Sequence, residues 1–96
     1  MKNTYCVCYK TLFVFSSKEI AKNYFSTCYY SSEGAERERY GNILVDLQFT
    51  NVGLDRVDNI VNEICYYDKE NKKIESKKVA WTNYLTIIDM VENGEV

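Results

Sequence analysis

Thr4-Tyr5-Cys6-Val7-Cys8-Tyr9-Lys10-Thr11-Leu12-Phe13-Val14-Phe15 is the stretch that decides the fold. β-Branched and aromatic residues dominate it, and such side chains fit a pleated, half-buried surface. Successive strand residues point to opposite faces. A single long strand would therefore place Tyr5, Val7, Tyr9, Thr11, Phe13 and Phe15 on one face and Cys6, Cys8, Lys10, Leu12 and Val14 on the other. Both faces are largely apolar, which predicts a central strand. A hairpin bending near Lys10-Thr11 is the alternative, and the long strand is preferred here. Lys10 interrupts the apolar run and no small-residue cleavage site follows Phe15, so the segment reads as a strand and not as a secretory signal.

Downstream, Ser16-Ser17-Lys18-Glu19 fits a capping box with Ser16 as the N-cap. Ile20, Ala21, Tyr24, Phe25 and Cys28 then form one helical stripe, ending near Tyr29-Tyr30. Ser32 caps a second predicted helix, Glu33 to about Phe49, with its core face on Tyr40, Ile43, Leu44 and Leu47. Glu33 with Arg37, and Glu36 with Arg39, stand at ion-pairing distance along it. Gly41 permits close packing, and Asn51 and Gly53 supply the stop. Residues 54–64 fit both a helical and a strand period. The strand is preferred, giving a loop at Asp55–Asp58 and a hairpin of Asn59–Tyr67 with Ile74–Trp81 around the turn Asp68–Lys73. Thr82 caps a last helix carrying Leu85, Ile88, Met90 and Val91, which ends at Asn93-Gly94. The order β-α-α-β-β-α predicts an α+β domain with a small antiparallel or mixed sheet, covered by helices on one face. At 96 residues, 46% of them apolar, the chain suits one domain with a real core.

Composition excludes several chemistries. The chain has no His, which removes the commonest general base and metal ligand. No Gly-rich phosphate loop is present, and no carboxylate pair is picked out by spacing, so an enzyme is not expected. Cys6, Cys8, Cys28 and Cys65 lack the C-x₂₋₄-C spacing of structural zinc sites, and they are expected as reduced, metal-free thiols. No cofactor is expected. No stretch approaches the roughly 20 apolar residues that span a bilayer, which places the protein in the cytoplasm.

The net charge is −2, far from the basic balance of a general nucleic-acid binder. Acids crowd Asp46–Glu70, where Asp46, Asp55, Asp58, Glu63, Asp68 and Glu70 face only Arg56 and Lys69. The next stretch carries Lys72, Lys73, Lys77 and Lys78 against Glu75. Neighbouring patches of opposite sign suit a protein partner better than a polyanion. Exposed aromatics would strengthen such a surface, and adjacent pairs such as Tyr29-Tyr30 and Tyr66-Tyr67 cannot all face the core. The candidate binding residues are therefore Tyr30, Glu36, Arg37, Arg39, Asp55, Asp58, Tyr67, Lys72, Lys73, Lys77 and Lys78. A helix start at Ser32 with Arg37 and Arg39 nearby could instead hold a phosphate.

The run S-S-E-G-A-E-R-E-R-Y-G-N-I-L, after a K-E-I-A-K-N-Y-F helix, resembles small uncharacterised proteins encoded by phages and mobile elements of low-GC Gram-positive bacteria. The likeness covers residues 17–48. That group carries no established activity, so no functional residues transfer. What it implies is genomic company, since short phage accessory genes often encode inhibitors of host defence proteins, anti-CRISPR proteins among them. The expected function is thus binding and occlusion of a host protein. The alternatives are a nucleotide or nucleic-acid binder using Arg37, Arg39 and Lys72–Lys78, or a structural subunit of a larger assembly.

Overall fold

A computed structural model describes residues 2–96. The chain is α+β, as its sequence indicates. Its elements run β1 (Thr4–Cys8), β2 (Thr11–Phe15), α1 (Lys18–Tyr30), α2 (Gly34–Leu47), β3 (Val52–Leu54), β4 (Ile60–Tyr67), β5 (Lys73–Asn83) and α3 (Tyr84–Glu92). One five-stranded mixed sheet has the order β3-β1-β2-β4-β5. β1 pairs with β2 and β4 with β5 antiparallel, while β1 with β3 and β2 with β4 are parallel.

The predicted long strand is corrected to a hairpin. Its turn is Tyr9-Lys10, both at positive φ, 51° and 63°. That is the type I′ pattern, which matches strand twist and normally uses Asn-Gly. Neither residue favours it, so contacts elsewhere must hold the turn. The reversal also re-sorts the faces. Cys6 now pairs with Phe13 and Val7 with Leu12, so Tyr5 and Val7 share a face with Leu12 and Val14. Cys6 and Cys8 share the other with Phe15.

Both faces are covered, not one. On the first, Ile87 and Ile88 of α3 pack against Tyr5, Val7, Leu12, Val14, Val61 and Ile64. On the second, Ala21 and Phe25 of α1 and Ile43 and Leu47 of α2 pack against Cys6, Cys8 and Phe15. Tyr40 and Leu44 are half-buried at the margin of that core. A central hairpin that is apolar on both sides needs this sandwiching, because either face left bare would expose a large hydrophobic patch.

The caps shift by one residue from the expected positions. The Ser17 hydroxyl, not that of Ser16, accepts from the Ile20 amide at 3.3 Å. Ser32 turns back to donate to the Tyr29 carbonyl at 3.1 Å, and Glu33 takes the cap position of α2 without a side-chain bond. Asn83, not Thr82, caps α3. α2 stops at Leu47, and Gly53 lies inside β3 instead of ending the helix. A Cβ there would come within 2.8 Å of Ile43 Cγ2 and 3.1 Å of the Ile43 carbonyl oxygen. Glycine is what lets α2 lie directly on β3. Gly41 plays the lesser role expected of it, with the Tyr29 ring 3.2 Å from where a Cβ would stand.

Candidate interaction surface

The Tyr9-Lys10 turn leads to a buried charge cluster. Asp55, at the exit of β3, has no exposed surface. Its Oδ1 accepts from the Val57 and Asp58 amides at 2.9 Å each, which closes the loop that the sequence placed at 55–58. Its Oδ2 accepts from the Tyr9 amide at 3.3 Å and from Arg39 Nε at 3.2 Å and Nη2 at 2.5 Å. Arg39 Nη2 also donates to Asp58 Oδ2 at 2.7 Å, and its guanidinium lies 3.9 Å from the centre of the Tyr9 ring. The Tyr9 hydroxyl donates to Glu36 Oε2 at 3.1 Å, and Lys10 Nζ to Asp58 Oδ1 at 3.3 Å.

These bonds explain the turn. Left-handed φ costs non-glycine residues on the order of 1 kcal/mol each, and Arg56, in the same loop, is also left-handed at 69°. The Asp55 carboxylate and the Arg39 guanidinium supply directed bonds that offset it. Burial alone would push the Asp55 carboxyl up. The Asp58 amide, Arg39 and the Val57 amide outweigh burial and hold it below its ordinary value. For Arg39, burial disfavours the charge, and the bonds to Asp55 and Asp58 more than reverse that. The cluster is a structural clamp joining α2, the β1–β2 turn and the 55–58 loop. A shallow groove of about 380 Å³ opens beside it, lined by Glu38, Arg39, Asn42, Asp55, Arg56 and Val57.

The sheet's two edges differ sharply. β3 is three residues long, and both amides it turns away from β1 are occupied. The Val52 amide donates to Thr50 Oγ1 at 3.2 Å, and the Leu54 amide to Asp46 Oδ2 at 3.0 Å. The Thr50 hydroxyl in turn donates to the Val52 carbonyl at 2.8 Å, and Asp46 is held by Arg56. β5 is eleven residues long and exposed along most of its length. Alternate residues of an antiparallel strand turn both backbone groups to the partner. The remaining groups of β5 therefore point away from β4 with no strand beyond. Among the described residues, one side-chain bond reaches the backbone of this edge, from the Thr82 hydroxyl to the Ala80 carbonyl at 2.7 Å.

The sequence-predicted residues fall into separate places. Glu36, Arg39, Asp55 and Asp58 come together in the clamp, with Tyr9 and Lys10, which sequence reasoning missed. Among the described residues the expected Glu33–Arg37 and Glu36–Arg39 pairs do not form. Arg37 Nε instead donates to the Tyr29 carbonyl at 3.1 Å, with its guanidinium over the Tyr29 ring. Tyr30 is 78% exposed at the end of α1, edge-on to Tyr29. Tyr67 faces inward, stacking on Phe13 and Phe15, and its hydroxyl donates to that of Tyr24 at 3.4 Å. Burial, then that bond, pushes the Tyr67 phenol up. Lys72, Lys73, Lys77 and Lys78 lie on the β4–β5 hairpin. Lys10 meets Asn62 at one end of the sheet, whereas Lys72 and Lys73 lie past the Tyr66–Val14 pair at the other. Arg39 and those two lysines therefore share no surface.

All four cysteines are free thiols. Burial, above all, pushes the Cys8 thiol up to about 12, and those of Cys6, Cys28 and Cys65 also upward. Thiols so shifted carry negligible thiolate at neutral pH, and thiolate is the form that reacts and binds metal. Among the described residues no group of three His, Cys, Asp or Glu side chains is placed to hold a metal ion. No helix is long and apolar enough to cross a membrane. No family model matches the chain, and no curated protein or solved structure matches it.

Proposed function

We propose that the chain is a small, non-enzymatic accessory protein of phage or mobile-element origin. It acts in the cytoplasm of a bacterial host by covering a functional surface of a host protein. Inhibition of a defence system, in the manner of an anti-CRISPR protein, is the form that the likeness of residues 17–48 favours. One observation carries the binding reading: the exposed eleven-residue edge strand β5, with lysines along it and Ile74 and Trp81 in solvent at its two ends. Large apolar side chains held in solvent on an ordered strand are what protein interfaces draw on. The charged groups most often recruited to chemistry, Arg39 and Asp55, are spent on each other. A polyanion reading draws less support, because Arg37 and Arg39 are engaged internally and Arg39 shares no surface with Lys72 and Lys73.

The test is capture of host proteins on the full chain, followed by assay of whatever is captured. The expected result is a stoichiometric complex in which the captured protein loses its activity. Capture without inhibition would break the occlusion reading. Tight binding to single- or double-stranded nucleic acid at about physiological salt, abolished by Lys72→Glu with Lys78→Glu, would replace it with the polyanion reading.

A further inference from the structure

We infer that the free edge of β5 receives an acidic, extended segment of the partner protein as an added strand. This rests on the protein-binding reading above and names the chemistry of its partner.

Strand addition needs unpaired backbone groups in a regular register, room beside them, and side chains that select the incoming segment. β5 meets all three. Its register against β4 is continuous from Glu75 to Lys78, opposite Tyr66 to Glu63, with irregularities on either side. Those irregularities bracket a short docking length. Ile74, 65% exposed, adjoins one end, and Trp81, 59% exposed, lies in the irregular stretch beyond Lys78 at the other. At β3 the corresponding amides are already taken by Thr50 and Asp46. The same protein has thus closed one edge and left the other open.

Charge selects the occupant. Lys72, Lys73, Lys77 and Lys78 surround the register, with Glu75 the only acid among them. Lys77, half-buried, reaches Glu75 at 3.9 Å, and Lys78, solvent-exposed, reaches Glu63 at 3.4 Å. Such surface pairs contribute little and exchange readily for a partner's carboxylates. Lysines on an edge also repel strands that are basic. A second copy paired in parallel register would bring lysine against lysine, which is unfavourable directly across a strand pair, whereas an antiparallel pairing centred on Ser76 would set Glu75 across from Lys77. Four lysines against one glutamate favour a segment rich in Asp or Glu over a second copy that carries the same excess of lysine.

The probes are synthetic peptides offered to the full chain: one of roughly six residues alternating Glu and Val, the same peptide N-methylated at alternate amides, and a Lys–Val counterpart. Calorimetry should give saturable one-to-one binding of the Glu–Val peptide, weakening about tenfold between about 50 and 300 mM salt. Amide exchange should slow within Lys73–Trp81. N-methylation, which removes the backbone donors, should cost tenfold or more, as should Lys72→Glu with Lys77→Glu. If that double variant does not fold, the three peptides on the unmodified chain still decide the matter. Equal binding of the N-methylated or Lys–Val peptide would overturn the inference. So would absence of protection at β5, or protection there by self-association without peptide. A host protein captured and inhibited equally well by the double variant overturns strand addition and leaves occlusion standing. Peptide docking at β5, with no host protein inhibited, supports strand addition and breaks occlusion.

Discussion

The two edges of this sheet solve one problem in opposite ways. β3 is short, lies under α2 at Gly53, and has its outward amides capped by Thr50 and Asp46. β5 is long and uncapped, guarded by charge alone. An edge closed by hydrogen bonds is closed to every strand. An edge guarded by charge is closed only to strands of the wrong sign. The closed edge also adjoins the Asp55 clamp, so the cross-linked end of the molecule and the available one are different regions.

The comparison can be broken most forcefully at Asp55. Asp55→Ala removes five hydrogen bonds and leaves the Arg39 guanidinium largely buried with one acid fewer. The expected loss is about 3–5 kcal/mol in urea unfolding, and a loss under about 1 kcal/mol would mean that the clamp does not hold this end. The same site sets an acid limit. The folded carboxyl lies below its ordinary value of 3.8, so its contribution is complete above about pH 4 and fades as pH falls through the depressed value. Asp55→Asn should flatten that part of the stability–pH curve.

Gly53→Ala comes next. The new methyl meets the Ile43 side chain and backbone, which should cost about 2 kcal/mol and lower the thermal midpoint. An unchanged midpoint would show that α2 has freedom to lift from β3. Asp46→Asn weakens the cap on the Leu54 amide and the pair with Arg56. About 1 kcal/mol is expected, with faster exchange at that amide, and unchanged exchange would mean the edge is closed by other means. The smallest effect belongs to β5. Trp81→Ala should alter stability by less than about 0.5 kcal/mol, while costing a bound partner about 2 kcal/mol or more. A large loss of stability would make Trp81 a core residue and remove it from the docking surface.

Much of the fold was legible because its signals are local. The stripe Ile20, Ala21, Tyr24, Phe25 and Cys28, the β4–β5 hairpin, the 55–58 loop and the stop at Asn93-Gly94 all follow from periodicity and turn chemistry. What escaped is non-local. Tyr9-Lys10 carries no turn signal, because its φ angles are maintained by Asp55, 46 residues away from Tyr9. Missing that turn hid the exchange of faces, and with it the need for α3 on the face opposite α1 and α2. β3 was hidden because three residues are too few for alternation to register. Charge pairing misled for a related reason. Glu36 and Arg39 satisfy the helical spacing, yet Arg39 finds better partners in Asp55 and Asp58, desolvated and pre-organised by their loop. The lysines on β5 were legible as a patch, but their meaning as an edge was not, since strand order is a property of the whole sheet.

The central position of the first hairpin also has a consequence for biosynthesis. β1 and β2 leave the ribosome before the other elements of this domain, while β3 and β4, their outer neighbours, are made about forty residues later. At roughly 5–20 residues per second the hairpin waits on the order of 2–10 s with both backbone edges unpaired. α1 and α2 arrive in that interval and shelter the side of Cys6, Cys8 and Phe15. The side formed by Tyr5, Val7, Leu12 and Val14 stays bare until α3, made after α1 and α2, folds back over it.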